Sequence, residues 1–158
     1  MSVNIRVART SDVDDLVAWN AAMALETEDK HLDLTVLRRG VERLLADPAA
    51  GTCYVAVDPD GAGLGTLSLT REWSDWRAGW FWWIQSVYVR PEARAQGVFT
   101  ALYRHAESLA RAEPDVIGLR LYVERDNTRA QRTYARLGMH ETDYRLYEVG
   151  FRGAEVAT

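Results

Sequence analysis

The first third of the chain combines one strand pattern with two helical patterns. Apolar and polar residues alternate over Asn4–Ala8, which predicts a short strand. Apolar residues recur on one helical face from Val13 to Ala24 and again from Leu34 to Ala46, where Asp47-Pro48 ends the pattern. We therefore expect one strand followed by two amphipathic helices.

The middle of the chain carries three strand patterns. Thr52–Val57 and Leu64–Thr70 flank the turn-forming residues 59–61, so we expect antiparallel pairing there. Phe81–Val89 is apolar at nearly every position and is closed by Pro91, which is typical of a central strand covered on both faces.

The last third predicts a helix at Gly97–Arg111, a strand at Val116–Val123, a helix ending at Leu137 and a final strand at His140–Val149. A strand, a helix and a strand in succession favour a right-handed crossover between parallel strands. The predicted order is β-α-α-β-β-β-α-β-α-β. It indicates an α/β fold with one mixed central sheet of about six or seven strands and helices on both faces.

Composition narrows the class of protein. With 158 residues and 47% hydrophobic residues, the chain fits one domain over residues 1–158. The longest apolar run, Trp80–Ile84, is far too short for a membrane span, and residues 1–12 lack a signal-peptide pattern. We therefore expect a cytoplasmic protein with no membrane partner. A lone cysteine, Cys53, excludes a disulfide within the chain and a thiolate zinc site.

Charge is unevenly distributed along the chain. The net charge of -4 argues against nucleic acid as a partner. Residues 90–136 nevertheless hold nine arginines against six acidic residues, an excess that would favour an anionic ligand. The alternative is scatter over a solvated surface. The three histidines have no metal-ligand spacing, and His105 lies on an apolar helical stripe, so no metal site is predicted.

Three local features carry candidate chemistry. Gln85 and Ser86 interrupt the apolar strand, so either neighbours satisfy them or the sheet opens there toward a ligand. A loop containing Gly97 joins that strand to a helix, and a helix N-terminus with an accessible backbone binds anions, although an ordinary turn is the alternative. Asn127 and Tyr134 lie two turns apart on one helical face. Either both contact a ligand, or Asn127 caps the helix and Tyr134 packs in the core.

Together these segments resemble the GNAT superfamily of N-acetyltransferases, most strongly between Gln85 and Met139, and the coenzyme-binding core is expected at about 80–139. One family signature is matched by Val89, Pro91, Arg94 and Gly97, and the second by Asn127, Ala130, Tyr134, Gly138 and Met139. Phe99 departs from the pattern, because the family usually has Gly or Ala there.

The resemblance implies acetyl-CoA as the acyl donor, bound between splayed fourth and fifth strands, and a small-molecule amine as the acceptor. An amine would attack the thioester directly, with the backbone N–H near Val87 stabilising the oxyanion and Tyr134 protonating the departing thiolate. The residues expected to contact the coenzyme are Val87, Tyr88, Val89, Arg94, Ala95, Gln96, Gly97, Val98, Phe99, Thr100, Asn127, Ala130 and Tyr134.

The motifs say less about the residues that bind the acceptor than about those that bind the coenzyme. Gln85 stands where similar polyamine acetyltransferases carry a glutamate, and an amide cannot take a proton. The base is therefore Glu26 or Glu28 through water, or the amine arrives neutral. Acidic residues cluster at 26–33, which favours a small cationic acceptor contacting Glu26, Glu28, Gln85 and Trp83. A solvated helix end with ordinary surface acids is the alternative.

Five tryptophans fall within eleven positions, at Trp73, Trp76, Trp80, Trp82 and Trp83. They predict core and hairpin packing, or else an aromatic wall beside the acceptor or a homodimer contact. Two other functions stay open beside the enzyme: a non-catalytic acyl-CoA-binding or regulatory module of the same fold, and an interaction protein that uses this aromatic segment.

Overall fold

The computed structural model describes residues 2–151 and divides into two compact units, residues 1–124 and 125–158. The first unit holds strands β1 (Asn4–Val7), β2 (Thr52–Val57), β3 (Gly63–Ser74), β4 (Gly79–Val89) and β5 (Val116–Arg120). It also holds helices α1 (Val13–Glu28), α2 (Leu34–Ala46) and α3 (Val98–Ala112), with 3-10 turns at Thr10–Asp12 and Pro91–Ala93. The described part of the second unit contains α4 (Thr128–Arg136).

The five strands form one mixed sheet in the order β1-β2-β3-β4-β5. The first three pairings are antiparallel, and β4 pairs with β5 in parallel through the connection that contains α3. The mixed sheet and the crossover are therefore confirmed. The hairpin of β3 and β4 is longer than predicted, because pairing continues out to Ser74 and Gly79.

Helices cover both faces of this sheet, as predicted. Cys53 and Val55 of β2 pack in a core cluster with residues of α1 and α2. The ring of Tyr54, between them in sequence, meets the ring of His105 of α3 at a centroid distance of 5.0 Å. Since successive residues of a strand point to opposite faces, α3 lies on the face opposite α1 and α2.

The prediction of six or seven strands is wrong for the described residues, which form five. The expected final strand at 140–149 does not form, and the strand expected at 116–123 ends at Arg120. An alternating pattern decides only which side chains share a face, whereas a strand also needs a neighbouring backbone to pair with. Within 140–151 the described backbone pairs with no strand, and Tyr144 and Tyr147 are largely exposed.

Helix α4 has the ends that the sequence predicts. The side-chain oxygen Oδ1 of Asn127 accepts a hydrogen bond from the backbone N–H of Ala130 at 3.2 Å, which caps the helix. Gly138 follows the helix with a φ of +94°, a left-handed conformation that glycine adopts without steric cost.

A carboxylate ties the first strand to the first helical turn. Asp12 accepts hydrogen bonds from Nη1 and Nη2 of Arg6 at 2.8 and 2.9 Å and from the backbone N–H of Arg9 at 2.6 Å. The bonds from Arg6 lower the pKa of the Asp12 carboxyl, although its burial acts in the opposite direction. This pair therefore stabilises the fold when the carboxyl is ionised.

We predict that Asp12→Asn lowers the free energy of unfolding by about 1–3 kcal/mol at pH 7, since it removes a partly buried, charge-assisted pair. Because the pKa of Asp12 is lowered in the native state, its stabilisation is present above the unfolded pKa and is lost as the pH falls through the native pKa. The difference from wild type should therefore shrink below about pH 4. Urea unfolding at several pH values measures it.

Asp14→Asn is the matched control, because Asp14 forms an ion pair with Arg38 on the exposed surface. We expect a much smaller loss of stability that is further reduced by salt. Equal losses in the two variants would contradict the role assigned to Asp12.

Candidate functional site

Strand β4 continues beyond its partner β5. The parallel ladder ends at the pair Trp83 and Arg120, whereas β4 runs on to Val89. Over residues 84–89, the described structure pairs β4 with β3 alone. The sheet therefore opens between the fourth and fifth strands, where the family resemblance implies that the acyl donor binds.

Backbone groups of β4 alternate between its two edges. The N–H of Arg90 donates to the carbonyl of Leu64 at 3.0 Å, so Arg90 and, two residues earlier, Tyr88 direct their backbone groups toward β3. Val87 and Val89 direct theirs toward the open edge, and the Val89 carbonyl accepts a bond from Nε of Arg94 at 2.9 Å there. The N–H of Val87 therefore faces the opening.

A tight loop connects the open edge to helix α3. Ala95 and Gly97 have φ angles of +60° and +81°, with Gln96 between them outside the left-handed region. Such alternation turns successive backbone N–H groups inward into a concavity that binds anions. Gly97 is also the N-cap of α3 and makes no side-chain cap, so the positive end of the helix lies at the loop.

Space at the loop is open where a phosphate would approach. A Cβ atom at Gly97 would meet no other atom within 4 Å, so the left-handed φ rather than crowding requires glycine. Val98 is buried, whereas Thr100 is exposed. The ring of Phe99 lies 6.4 Å from the ring of Tyr103 on the same helix, so the unusual phenylalanine packs along α3.

Arg94 is already paired within the protein. Its Nη2 donates to Oε2 of Glu26 at 2.7 Å, and its guanidinium lies 5.4 Å from the ring centroid of Tyr88. The Tyr88 hydroxyl donates to Oε1 of the same glutamate at 3.2 Å. Burial, with Glu26 adding to it, raises the pKa of Tyr88, so its hydroxyl stays a donor. Glu26 thus joins the end of α1 to the loop.

The other acids of the 26–33 segment also have partners. Glu28 lies 3.5 Å from Nζ of Lys30, and the Asp33 carboxylate caps α2 by accepting from the N–H groups of Thr35 and Val36. Of the four clustered carboxylates, only the side chain of Asp29 makes no hydrogen bond or ion pair within residues 2–151.

Gln85 occupies a bulge in β4. Ser68 pairs with Ser86 and Leu69 pairs with Ile84, which leaves Gln85 as the extra residue. Its amide Nε2 donates to Oγ1 of Thr70 at 2.9 Å on the exposed surface. A neighbour therefore satisfies Gln85, which was one of the two alternatives.

Aromatic side chains line the long hairpin. The rings of Trp73 and Trp80 meet edge to face at 5.0 Å, and Trp83 lies 5.9 Å from the ring of Tyr122. Trp76, at the turn, is 86% exposed. Hairpin packing accounts for the pair of Trp73 and Trp80, whereas the partner of Trp83 follows β5 and Trp76 stays on the surface at the tip.

A cavity of about 200 Å³ lies between the sheet and the first two helices, and sequence reasoning did not anticipate it. Its floor contains Cys53, Ser68 and Ser86, which are directly opposite one another on β2, β3 and β4. The other lining residues are Leu16, Asn20, Leu37, Gly40, Val41, Leu44 and Thr66.

Gly40 stands at the wall of this cavity in the middle of α2. Glycine inside a helix costs about 0.5–1 kcal/mol relative to alanine, so a packing reason is usually found. Here a Cβ would meet no atom within 4 Å, so no close contact requires glycine at this position. What Gly40 preserves is the space in front of it.

The predicted residues of the second signature lie in the second unit. Asn127, Ala130 and Tyr134 fall on α4, with Asn127 as its N-cap. Burial raises the pKa of Tyr134 above its ordinary value, which keeps the hydroxyl protonated at neutral pH.

Within residues 2–151, no helix is long and apolar enough to cross a bilayer. In the same part of the chain, no group of three or more histidine, cysteine, aspartate or glutamate side chains is arranged to hold a metal ion.

Comparison with known proteins identifies the family. The model of the acetyltransferase (GNAT) family matches residues 14–139. The chain belongs to the GNAT family of acetyltransferases. Members of this family use acetyl-CoA as acyl donor, and the open edge of β4 and the left-handed loop before α3 have a geometry that fits that ligand. No curated protein matches the chain significantly.

Solved structures extend this GNAT assignment. A protein described as a possible acetyltransferase from Clostridium difficile 630 is 40% identical, with 96% of this chain and 99% of that chain covered and a TM-score of 0.89. An aminoglycoside 6′-N-acetyltransferase from Acinetobacter baumannii is 19% identical, with 96% and 100% covered and a TM-score of 0.73. At that identity, the second likeness shows the fold alone.

We predict that Gly97→Val removes the thermal protection that acetyl-CoA gives the protein. A β-branched residue is strained at a φ of +81°, so the loop should lose the backbone conformation that binds the phosphates. Thermal unfolding with and without acetyl-CoA measures this protection, because a ligand that binds the native state raises the melting temperature.

Gly61→Val is the matched control for strain, since Gly61 has a φ of +89° in the β2–β3 turn and equally open space. It should lower the melting temperature yet keep the shift produced by acetyl-CoA. If Gly97→Val keeps the full shift, the loop does not bind the coenzyme phosphates.

Proposed function

We propose that this GNAT protein is an N-acetyltransferase that transfers the acetyl group of acetyl-CoA directly to a primary amine. The observation that carries the proposal is the junction of the unpaired edge of β4 with the left-handed loop at the start of α3. The unpaired edge can form hydrogen bonds with the extended, amide-bearing arm of acetyl-CoA, and the loop can bind its pyrophosphate.

The donor would lie along these two features in order. Its pantetheine arm would pair with the outward backbone groups of Val87 and Val89, like an added strand. Its pyrophosphate would accept hydrogen bonds from the loop at Ala95–Gly97 and the first turn of α3. Because Arg94 is engaged by Glu26, backbone N–H groups rather than its guanidinium supply most of the phosphate contacts.

The reaction joins the amine nitrogen to the acetyl carbon and breaks the carbon–sulfur bond. The Val87 N–H, which faces the open edge, would donate to the carbonyl oxygen as negative charge develops on it. The departing thiolate takes a proton from Tyr134, and the proton that the amine nitrogen loses on forming the amide returns to the phenolate through solvent. This role of Tyr134 rests on the second family signature. The raised pKa of Tyr134 supports it, since the group must be protonated to act as an acid.

The amine is proposed to lose its proton to solvent before it attacks. Glu26 is held by Arg94 and Tyr88, Gln85 cannot accept a proton as a base, and Glu28 is exposed beside Lys30. With no other base assigned, kcat/KM should rise with pH until it passes the pKa of the chosen amine. A pH profile that is the same for amines of different basicity would instead indicate an enzyme base.

The expectation of a cationic acceptor loses support from these contacts. It rested on four acids between residues 26 and 33, and three of them have ionic or capping partners. We therefore propose a primary amine as the acceptor, without a requirement that it carry a second positive charge.

Release of free thiol from acetyl-CoA in the presence of a panel of primary amines tests the proposal. Thiol release that depends on the amine supports an enzyme. Protection by acetyl-CoA without thiol release would instead support the non-catalytic acyl-CoA-binding module. Absence of both would favour an interaction protein, for which the exposed Trp76 at the hairpin tip offers a contact.

We predict that Tyr134→Phe lowers kcat by about 10²–10⁴-fold, the usual contribution of a positioned acid, while the affinity for acetyl-CoA changes little. Only the hydroxyl is removed, so the helix and its packing stay intact. Steady-state kinetics and direct binding of acetyl-CoA separate the two quantities. Wild-type turnover in the variant would assign Tyr134 to packing.

Tyr144→Phe serves as the control in the same unit, because Tyr144 is exposed and has no assigned role. It should leave kcat unchanged. Because the pKa of Tyr134 is raised, kcat should not decline through its ionisation until the pH exceeds about 10.

A further inference from the structure

The cavity under α1 and α2 has a lining without formal charge. None of its ten lining residues is an acid, an arginine, a lysine or a histidine. Its one ionisable group is the thiol of Cys53, and burial raises the pKa of that thiol, so it stays neutral. A charged group entering this space would lose part of its hydration without meeting an opposite charge.

Two hydroxyl groups on the cavity floor are available to a ligand. Ser68 and Ser86 are directly paired across β3 and β4, and neither hydroxyl bonds to another residue within 2–151. Thr66, by contrast, donates to the carbonyl of Tyr54 at 2.9 Å. All fully buried side-chain polar atoms of the described chain have partners, so the two serine hydroxyls open into the cavity. They suit an amide or a hydroxyl.

Gly40 keeps the opposite wall clear. Glycine is unfavourable in the middle of a helix relative to alanine, and no neighbour comes within 4 Å of a Cβ built there. A glycine at this position is explained if a ligand occupies the space in front of it. Because Gly40 is exposed at one side of α2, this wall is also where the cavity meets solvent.

The volume sets the size of the occupant. A cavity of about 150 Å³ in another protein holds one benzene molecule. The present cavity, at about 200 Å³, therefore accepts a group of roughly six to ten non-hydrogen atoms. A leucine-sized or phenyl-sized body meets that limit, and the lack of an opposite charge in the lining, rather than the volume, disfavours a polyamine.

The cavity also adjoins the proposed reaction centre. Ser86 on its floor immediately precedes Val87, whose N–H faces the open edge of β4. A molecule whose body fills the cavity can therefore extend a terminal group past Ser86 toward the adjacent backbone. Other clusters in the described chain lack this combination of open volume, unpartnered hydroxyls and nearness to β4.

We propose that the cavity binds the body of the acceptor, and that the acceptor is a small primary amine whose remaining part is uncharged and carries an amide, a hydroxyl or a compact apolar group. The proposal rests on the proposed acetyltransferase function. It assigns specificity to the row of Ser68 and Ser86 and to the space at Gly40, rather than to the acids between residues 26 and 33.

The test compares four amines at saturating acetyl-CoA. Leucinamide and phenethylamine have uncharged bodies of suitable size, whereas putrescine and spermidine carry further positive charges. We expect kcat/KM for the first two, expressed per concentration of the neutral amine, to exceed that for the polyamines by at least about tenfold. Gly40→Leu, which fills the space, should raise KM for leucinamide and phenethylamine about tenfold or more and leave the thermal protection by acetyl-CoA unchanged.

Two further variants separate occlusion from general damage. Arg39→Leu adds the same side chain to the neighbouring exposed position of α2 and should not alter KM. Ser86→Ala should raise KM for leucinamide, which can bond to the hydroxyl through its amide, and leave that for phenethylamine nearly unchanged. Melting temperatures of all variants show whether they are folded at the assay temperature.

The proposal is overturned if putrescine or spermidine is the better substrate, or if Gly40→Leu and Arg39→Leu change KM equally. Failure of the proposed function gives a different result, namely no thiol release with any amine. In that case, calorimetric titration with leucinamide and phenethylamine tests directly whether the cavity binds these amines. If wild type binds these amines and Gly40→Leu does not, the cavity is a binding site. If wild type does not bind them, the proposed site is wrong.

Discussion

The unpaired edge of β4 is the constraint on which the candidate site depends. Pairing with β5 stops at Trp83 and Arg120, and β4 continues alone on that side to Val89. Two local features accompany the separation. The bulge at Gln85 interrupts the register of β4 just after the last parallel pair, and bulges bend the strand that contains them. Arg120 holds the end of β5 in place, because its guanidinium lies 3.6 Å from the ring centroid of Phe81.

In the network around Glu26, two residues that were expected to bind different ligands form an ion pair with each other. Arg94 was expected to contact a phosphate, and Glu26 an amine, yet each neutralises the other. The Tyr88 hydroxyl completes the group, so the end of α1, strand β4 and the loop before α3 are linked. A phosphate is then left to the backbone N–H groups, which have a fixed geometry.

Much of the fold followed from local patterns. The periods of apolar residues predicted α1, α2, α3 and the central strand, because burial of one face imposes the spacing on each element separately. The Asn127 cap and the left-handed Gly138 were also predictable, since a few neighbouring residues decide both. The strand expected at 140–149 failed for the complementary reason. Its alternation was present, but the partner backbone that a strand requires lies elsewhere in the chain and is not encoded in the segment.

The sequence by itself determined the family and, through the family, the acyl donor, because the two signatures are short segments whose backbone conformation and side chains act locally. Gly97 in a strand-to-helix loop is one such residue, and its φ of +81° agrees with that assignment. Tertiary structure decided the partners of the charges and the cavity that we propose for the acceptor. Glu26 and Arg94 are 68 residues apart, and Cys53, Ser68 and Ser86 come from three strands. Such groups meet only when strand register and helix packing are set, and both arise from burial summed over the whole core rather than from any one segment.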